Sequence, residues 1–272
     1  MRIINRPPGP GLTLFLAALP FVVAILAYGI GSHIRLAENP ADKVLPSLSQ
    51  MLSTIGDYAL VPDKRSGDYL LLSDTIISMR RLVFALALSV GTALIVGIAA
   101  GFIPWVRAML QPFVSAFSLI PPITVLPILF IVVGLDEASK IALIFVGTAP
   151  IMLRAVALAV EEIPRELIVK AQTLGASTWQ MVTRIVLPMV LPRLIGATRF
   201  ALIPAWIFLV SAEAIAATGG LGYRIFLVRR FLAMDVILPY VFWITLLAWS
   251  MDALLALLQR KAFPWFMPER AS

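Results

Sequence analysis

Few residues in this chain could do chemistry, and the most suggestive lie in apolar sequence where a charge is expensive. Arg199, Trp206 and Glu213 recur at intervals of seven between 189 and 217. That spacing places them on one stripe of a helix, drifting about 20° per heptad. Arg199 and Glu213 would stand about 21 Å apart along the axis at about 1.5 Å per residue, too far to pair directly. Ionisable groups in apolar helices usually face a polar interior or a water-filled cavity. The stripe is therefore a candidate wall of a solute path or a proton relay, and for Glu213 a structural hydrogen bond to a neighbouring helix is the competing role. Asp252 is a similar but weaker case. Enzyme chemistry has little else to use. The single histidine, His33, follows an apolar run and reads as a solvated loop residue. Gly134 to Lys140 lacks the second glycine of G-x-x-x-x-G-K-[ST], so this chain is not expected to bind ATP itself. No nucleophile, base or metal constellation stands out in the sequence, and without cysteine there is neither a disulfide nor a thiolate metal site.

These residues must be held by membrane helices. Hydrophobic residues make up 60% and charged residues 14% of 272 positions, against about 45 to 50% and about 25% in soluble domains. Apolar runs near 12–31, 82–104, 112–134, 139–160, 189–217 and 236–258 are each long enough to cross a bilayer, which takes about 20 helical residues. The runs are continuous rather than alternating, which excludes a closed barrel. The expected fold is all-α, a polytopic membrane bundle of about six transmembrane helices. Arg2 and Arg6 precede the first run as in a secretory signal, but the run is too long for a signal core and no small-residue cleavage site follows. It reads as a retained first helix. The net charge of +7 reads as basic flanks meeting anionic headgroups, because no base-stacking aromatic pattern accompanies it; nucleic acid is not an expected partner. Lys and Arg divide almost evenly between the two membrane faces, so they vote only weakly for cytoplasmic termini.

Between the spans, the connection from His33 to Arg81 is polar, and PDKRSGDY within it is a turn signal. PSLSQMLSTIGDYAL carries apolar residues near helical spacing, as either a helix lying at the membrane surface or one packing on the bundle. Pro121, Pro122 and Pro127 would interrupt the third span, as a gate or as a packing kink. Gly219, Gly220 and Gly222 form a turn after the fifth span. The nearby Arg224, Arg229 and Arg230 suit either headgroups or the acidic rim of a partner.

One polar interruption points to a partner. EEIPRELIVKAQTLGASTWQMVTRIVLP, from Glu161 to Pro188, reads as two short helices joined at a glycine. Pro164 suits a first helical position, Glu161 and Glu162 the positive helix end, Gly175 a left-handed helix terminator, and Ser177 or Thr178 a cap for the second helix before Pro188 interrupts it. Lys170, Ala171, Gln172, Thr173, Leu174, Gly175, Ala176 and Ser177, continuing to Ile185, Leu187 and Pro188, resemble the "EAA" loop of permease subunits of bacterial ABC importers. IPPITVLPILFIVVGLDEASKI from Ile120, Ala205 and Trp206, Ala212 and Glu213, and GGLGYRI from Gly219 are similar to the nitrate, sulfonate, taurine and bicarbonate branch. The resemblance covers about residues 74 to 262.

The resemblance implies a type I importer permease in the bacterial inner membrane, and the six spans put both termini on one side, in agreement with cytoplasmic termini. It divides the chain into a first helix with an external segment (1–73), the permease domain (74–262) with its coupling hairpin (161–188), and a tail (263–272). It also implies a second permease copy, two ATP-binding subunits carrying ATP and Mg, and an external substrate-binding protein. Glu162, Arg165, Glu166, Lys170, Ala171, Leu174, Gly175, Ala176 and Ser177 would contact the ATPase, while Pro121, Pro122, Arg199, Trp206 and Glu213 are the path candidates drawn from the prolines and the apolar-span residues themselves. The pattern's Glu falls on Val169 and its first Ala on Lys170. The acidic contact is then absent, or supplied by Glu162 or by Glu166 one turn before. LAENPADKVLPS, PDKRSGDYLL and RRFLAMDVILPYV are similar to permeases accompanying urea (guanidine) carboxylase, which implies guanidinium or urea as cargo beside taurine, nitrate or sulfonate. A proton-coupled secondary transporter using Glu213 is the rival class, although no internal repeat of the kind such carriers often show is visible.

Overall fold

The computed structural model describes residues 9–40, 42–64 and 67–266. Arg2, Arg6, the middle of the PDKRSGDY turn and the tail beyond Phe266 lie outside the described residues. All regular structure among the described residues is helical, and the chain forms two compact units.

The first unit combines the chain up to Leu70 with Val228–Val241. Helix α1 (Pro10–Glu38) begins with Pro at its first turn, where no N–H is lost. It exposes large apolar side chains all round, including Leu14, Phe21, Leu26 and Ile30, as a lipid-facing helix must. His33 sits on its exposed surface rather than in a loop, because the helix continues to Glu38. The following loop is tied back by the Tyr28 hydroxyl donating to the Pro46 carbonyl (2.7 Å) and by an Arg35–Asp42 ion pair (2.6 Å). Ser47 and Gln50 then form a capping box that starts α2 (Leu48–Leu60). One side of α2 packs through Thr54 on Asp235 and Tyr58 on the Tyr240 ring, both in the opening turns of α10 (Met234–Ala262). The other side leaves Leu52 and Leu60 exposed.

The second unit holds Leu71–Leu227 and the chain from Phe242. It comprises α3 (Leu70–Phe102), α4 (Pro104–Phe117), α5 (Pro122–Val133), α6 (Glu137–Glu161), α7 (Arg165–Thr173), α8 (Thr178–Ala216), α9 (Leu221–Arg229) and most of α10. Between membrane helices the hydrophobic effect supplies no drive, so close backbone approach matters most. Gly97 and Gly101, in and after a π-turn at Ala93–Gly97, let α3 approach α6. A Cβ on Gly97 would fall 2.8 Å from Val156 Cγ1, and one on Gly101 would fall 2.5 Å from Val160 Cβ. Gly147 of α6 receives the Phe208 ring of α8, which would stand 2.0 Å from a Cβ there. Around these contacts Leu82, Leu143, Met152, Val156, Val190 and Leu209 are fully enclosed.

Three expectations are corrected. The second span begins at Leu70, not near 82, so a mixed stretch of twelve residues containing Asp74, Arg80 and Arg81 forms its first turns. The third span is not one helix: α4 and α5 meet at a 98° bend. Pro121 caps α5 and Pro122 opens it; neither has an N–H to continue the α4 ladder, and a residue before proline is pushed out of the α region. Pro127, by contrast, is absorbed inside α5. Pro188 does not end a short helix either. A π-turn at Val182–Val186 precedes it and α8 runs through to Ala216, the wider turn accommodating a ring that would otherwise strike the previous carbonyls.

Gly101→Ile should destabilise the bundle by about 1 to 3 kcal/mol through overpacking against Val160. The shift is measurable as a lower denaturant midpoint in detergent, with Gly91→Ile, which meets nothing within 4 Å, as the control.

Candidate functional site

Helix α6 separates two polar sites at its opposite ends. At 25 residues it is about 37 Å long at about 1.5 Å per residue.

At its end, Glu162 leaves the helix and pairs with Arg193 of α8 (2.9 Å). Pro164 takes the cap position of α7, one residue earlier than its expected place inside the helix, and Arg165 and Glu166 follow in the first turn. The helix stops by local geometry. Gly175 has φ +77, its N–H donates to the Gln172 carbonyl, and the Ala176 N–H donates to that of Ala171, both at 2.9 Å. This is a Schellman closure, in which the left-handed residue satisfies two orphan carbonyls. Two residues later Ser177 caps α8, its side chain accepting from Gln180 N–H while the Gln180 side chain accepts from Ser177 N–H. The connection is thus fixed at both sides, and Arg165, Glu166 and Lys170 have no ion-pair partner among the described residues. Exposed Leu167, Val169, Leu174 (87%) and Trp179 (74%) give it an apolar surface.

At the beginning of α6 lies a buried ion network. Arg81, 2% exposed, donates through Nε and Nη2 to both oxygens of Glu137 (2.6 and 2.5 Å), and through Nη1 to Glu213 (2.8 Å) and the Gly219 carbonyl (2.9 Å). Glu213 is fully buried. It also accepts from the Ser78 hydroxyl (2.7 Å) and the Gly222 N–H (2.8 Å). Ser78 in turn accepts from the Leu221 N–H at 2.8 Å. Asp74 accepts from the Gly220 N–H (3.1 Å) and from Arg224 Nε (2.8 Å). Lys140 donates to the Leu135 and Asp136 carbonyls and stands 3.8 Å from Glu137. The network has the composition of a clamp: charges of both signs, hydrogen-bonded, holding the Gly219–Gly222 turn against α3 and α6.

The heptad stripe divides. Arg199 makes a two-point ion pair with Asp252 of α10 (2.7 and 2.8 Å), with about a third of its side chain exposed. Trp206 is buried, and its Nε1 has no partner among the described residues. Pro121 and Pro122 lie at the α4–α5 bend and are not among the hydrogen-bond partners of Glu213.

Residues 93–264 match the family described as binding-protein-dependent transport system inner membrane component. The chain belongs to that family. It is the transmembrane permease component of an ABC importer, located in the inner membrane, and a transport component rather than an enzyme. It is 38% identical over 189 residues to the taurine transport system permease protein TauC of Escherichia coli, covering 69% of this chain and 68% of that one. Two solved structures share the fold. One is the inward-facing MetNI methionine ABC transporter, with TM-score 0.56, 23% identity, and coverage of 67% of this permease and 93% of that chain. The other is a bacterial ABC transporter involved in alginate import, with TM-score 0.63, 13% identity, and coverage of 93% and 96%. Importer membership replaces the proton-coupled carrier reading of Glu213.

Asp74, Ser78, Arg81 and Glu137 were not among the residues singled out from sequence, and Arg224, expected to meet headgroups or a partner, is instead paired with Asp74. A signal existed: Asp74, Ser78 and Arg81 follow i, i+4, i+7 spacing, one face of a helix. Placing the start of the span near 82 hid it.

Removing one partner of a buried pair strands the other. Arg81→Leu should cost the permease about 3 to 5 kcal/mol, and Arg81→Leu with Glu213→Leu distinctly less, because the uncompensated carboxylate goes with its partner. Denaturant titration of the three proteins in one detergent measures the coupling.

Proposed function

We propose that the connection from Glu161 to Pro188 is the lever through which two separate ATP-binding subunits drive this permease. The observation that carries the reading is α7 itself, stopped by a Schellman closure and followed at once by a capping box, with its outward surface unsatisfied. A short helix so defined moves as one piece, which is what coupling between a distant site and a bundle requires. In this reading ATP and Mg stay in the partner subunits, and ATP binding displaces α7. Arg165, Glu166, Lys170, Ala171, Leu174, Gly175, Ala176 and Ser177 form the contact, with Glu162 anchoring its base. Val169 in place of the family's acidic residue makes that contact more apolar, and Glu166, three residues earlier on a similar face, supplies the remaining carboxylate.

The lever faces the cytoplasm in this arrangement, and with it the chain termini. The buried network belongs to the opposite, external end, beside an external substrate-binding protein. A second copy of the chain completes the path, and the ion-paired Arg199 and Asp252 on a partly exposed face of α8 and α10 suit a surface that does not meet lipid. The cargo is a small polar solute, of the taurine, nitrate and sulfonate kind or of the guanidinium and urea kind. The binding protein makes most of the selection.

Gly175→Trp should abolish substrate-stimulated ATP hydrolysis in the reconstituted importer while the permease remains folded. A bulky side chain at φ +77 distorts the turn and blocks close docking. Normal coupled hydrolysis in this variant would sink the lever assignment.

A further inference from the structure

A cavity of about 290 Å³ lies between the end of α3, α4 and the last turns of α6. Its polar lining comprises Arg107, Gln111, Ser115, Arg154 and Glu161, among leucine, valine and alanine side chains. Two of these charges are already committed. Arg107 pairs with Glu161 at 3.0 Å and donates to the Ala100 and Gly101 carbonyls, closing the C-terminal end of α3. Arg154 is different: it lines this space, is exposed, and has no hydrogen bond or ion pair among the described residues. It stands seven residues before Glu161, about 10 Å inside the span. Gln111 and Ser115 are one turn apart on α4, so their side chains lie one above the other on the face lining the same cavity.

An arginine within a membrane span, unpaired by its own chain, needs either water or a counter-charge. A planar guanidinium with five donors selects oxygen anions, which it binds at two points. An amide and a hydroxyl beside it add neutral donors suited to the same oxygens. The cavity is at the small end of ligand-sized sites, which run from about 300 Å³ upward. We propose that Arg154, Gln111 and Ser115 form a binding site for an oxyanion group, a sulfonate, carboxylate or phosphate, in the half of the bundle nearest α7. The inference rests on the permease reading, because a transport path is what brings water to this arginine. The site gives this half of the path a preference that the binding protein does not supply. A guanidinium cation would meet a like charge here, whereas an anion released toward α7 would be drawn through. The same oxygens could come from cargo or from a lipid phosphate.

Arginine modification by phenylglyoxal separates these sources. The assembled importer, with its ATPase subunits and no nucleotide, is reacted in dodecyl maltoside, which carries no anion, and Arg154 is followed by peptide mass spectrometry. Arg154 should react readily, and ethanesulfonate at about ten times its half-protecting concentration should slow it about tenfold, as the unoccupied fraction falls with 1 + [L]/Kd. Guanidinium chloride at equal ionic strength should not. Protection by ethanesulfonate assigns the site to a soluble anion, while protection only by added phosphatidylglycerol assigns it to a lipid phosphate. An Arg154 that never reacts, or that neither anion protects, overturns the proposal. So does undiminished protection in the Gln111→Leu, Ser115→Ala double variant, whose assembly is verified by co-purification of the ATPase. The readout needs neither ATP nor uptake, so it fails independently of the lever: a Gly175→Trp complex that still couples would leave the protection result unchanged.

Discussion

A guanidinium cannot be left unsatisfied where water does not reach, and in this bundle that constraint falls on Arg81. Withdrawing such an ion from water costs several kcal/mol even after relaxation, so it is tolerated only with opposite charges and good hydrogen bonds around it. The partners come from three places: Glu137 at the start of α6, Glu213 near the end of α8, and the carbonyl of Gly219 beyond it. Satisfying one side chain therefore fixes the ends of three helices. The turn that follows is shaped around the same carboxylate. Gly220, at φ +123, lies so close to Glu213 that a Cβ would fall 2.6 Å from its carboxyl carbon, and one on Gly222 would approach the Glu213 Cβ to 3.0 Å. Any larger residue there would displace the clamp.

The opposite end of α6 is organised by short-range rules. The Gly175 turn and the Ser177 cap draw on residues within a few positions of each other, and they would form in any context that spared them. Between the two ends, α6 is pressed against α3 through Gly97 and Gly101 and against α8 through Gly147 and Phe208. A close-packed helix of this kind transmits displacement rather than absorbing it. The arrangement gives the permease a stiff element joining a locally built, outward-facing helix to a non-local polar clamp.

The α4–α5 elbow follows the same division. Prolines at 121 and 122 guaranteed an interruption, since neither can donate to the preceding turn. The 98° angle was not written in them. Pro127, Pro188 and Pro204 are chemically equivalent and are carried inside helices, one of them behind a π-turn. What distinguishes them is the packing available on either side, which a proline does not encode.

By itself the sequence determined what depends on composition and near neighbours. A 60% hydrophobic chain with continuous apolar runs must fold as membrane helices, and the Glu161 to Pro188 segment carries its own turn and cap; its order of motifs, with IPPITVLP and GGLGYRI, was enough to identify the permease family. Tertiary structure decided what depends on residues far apart in the chain. Glu213 could be seen to need a partner, yet nothing near it named Arg81, 132 positions away. Asp74, Ser78 and Arg81 looked like a polar loop because charged residues lower local hydropathy whether they face solvent or a buried counter-charge. Arg199 found Asp252 and Arg154 found no partner among the described residues. Helix periodicity fixes the face on which a side chain lies, and only the packing of one helix on another fixes what it meets there.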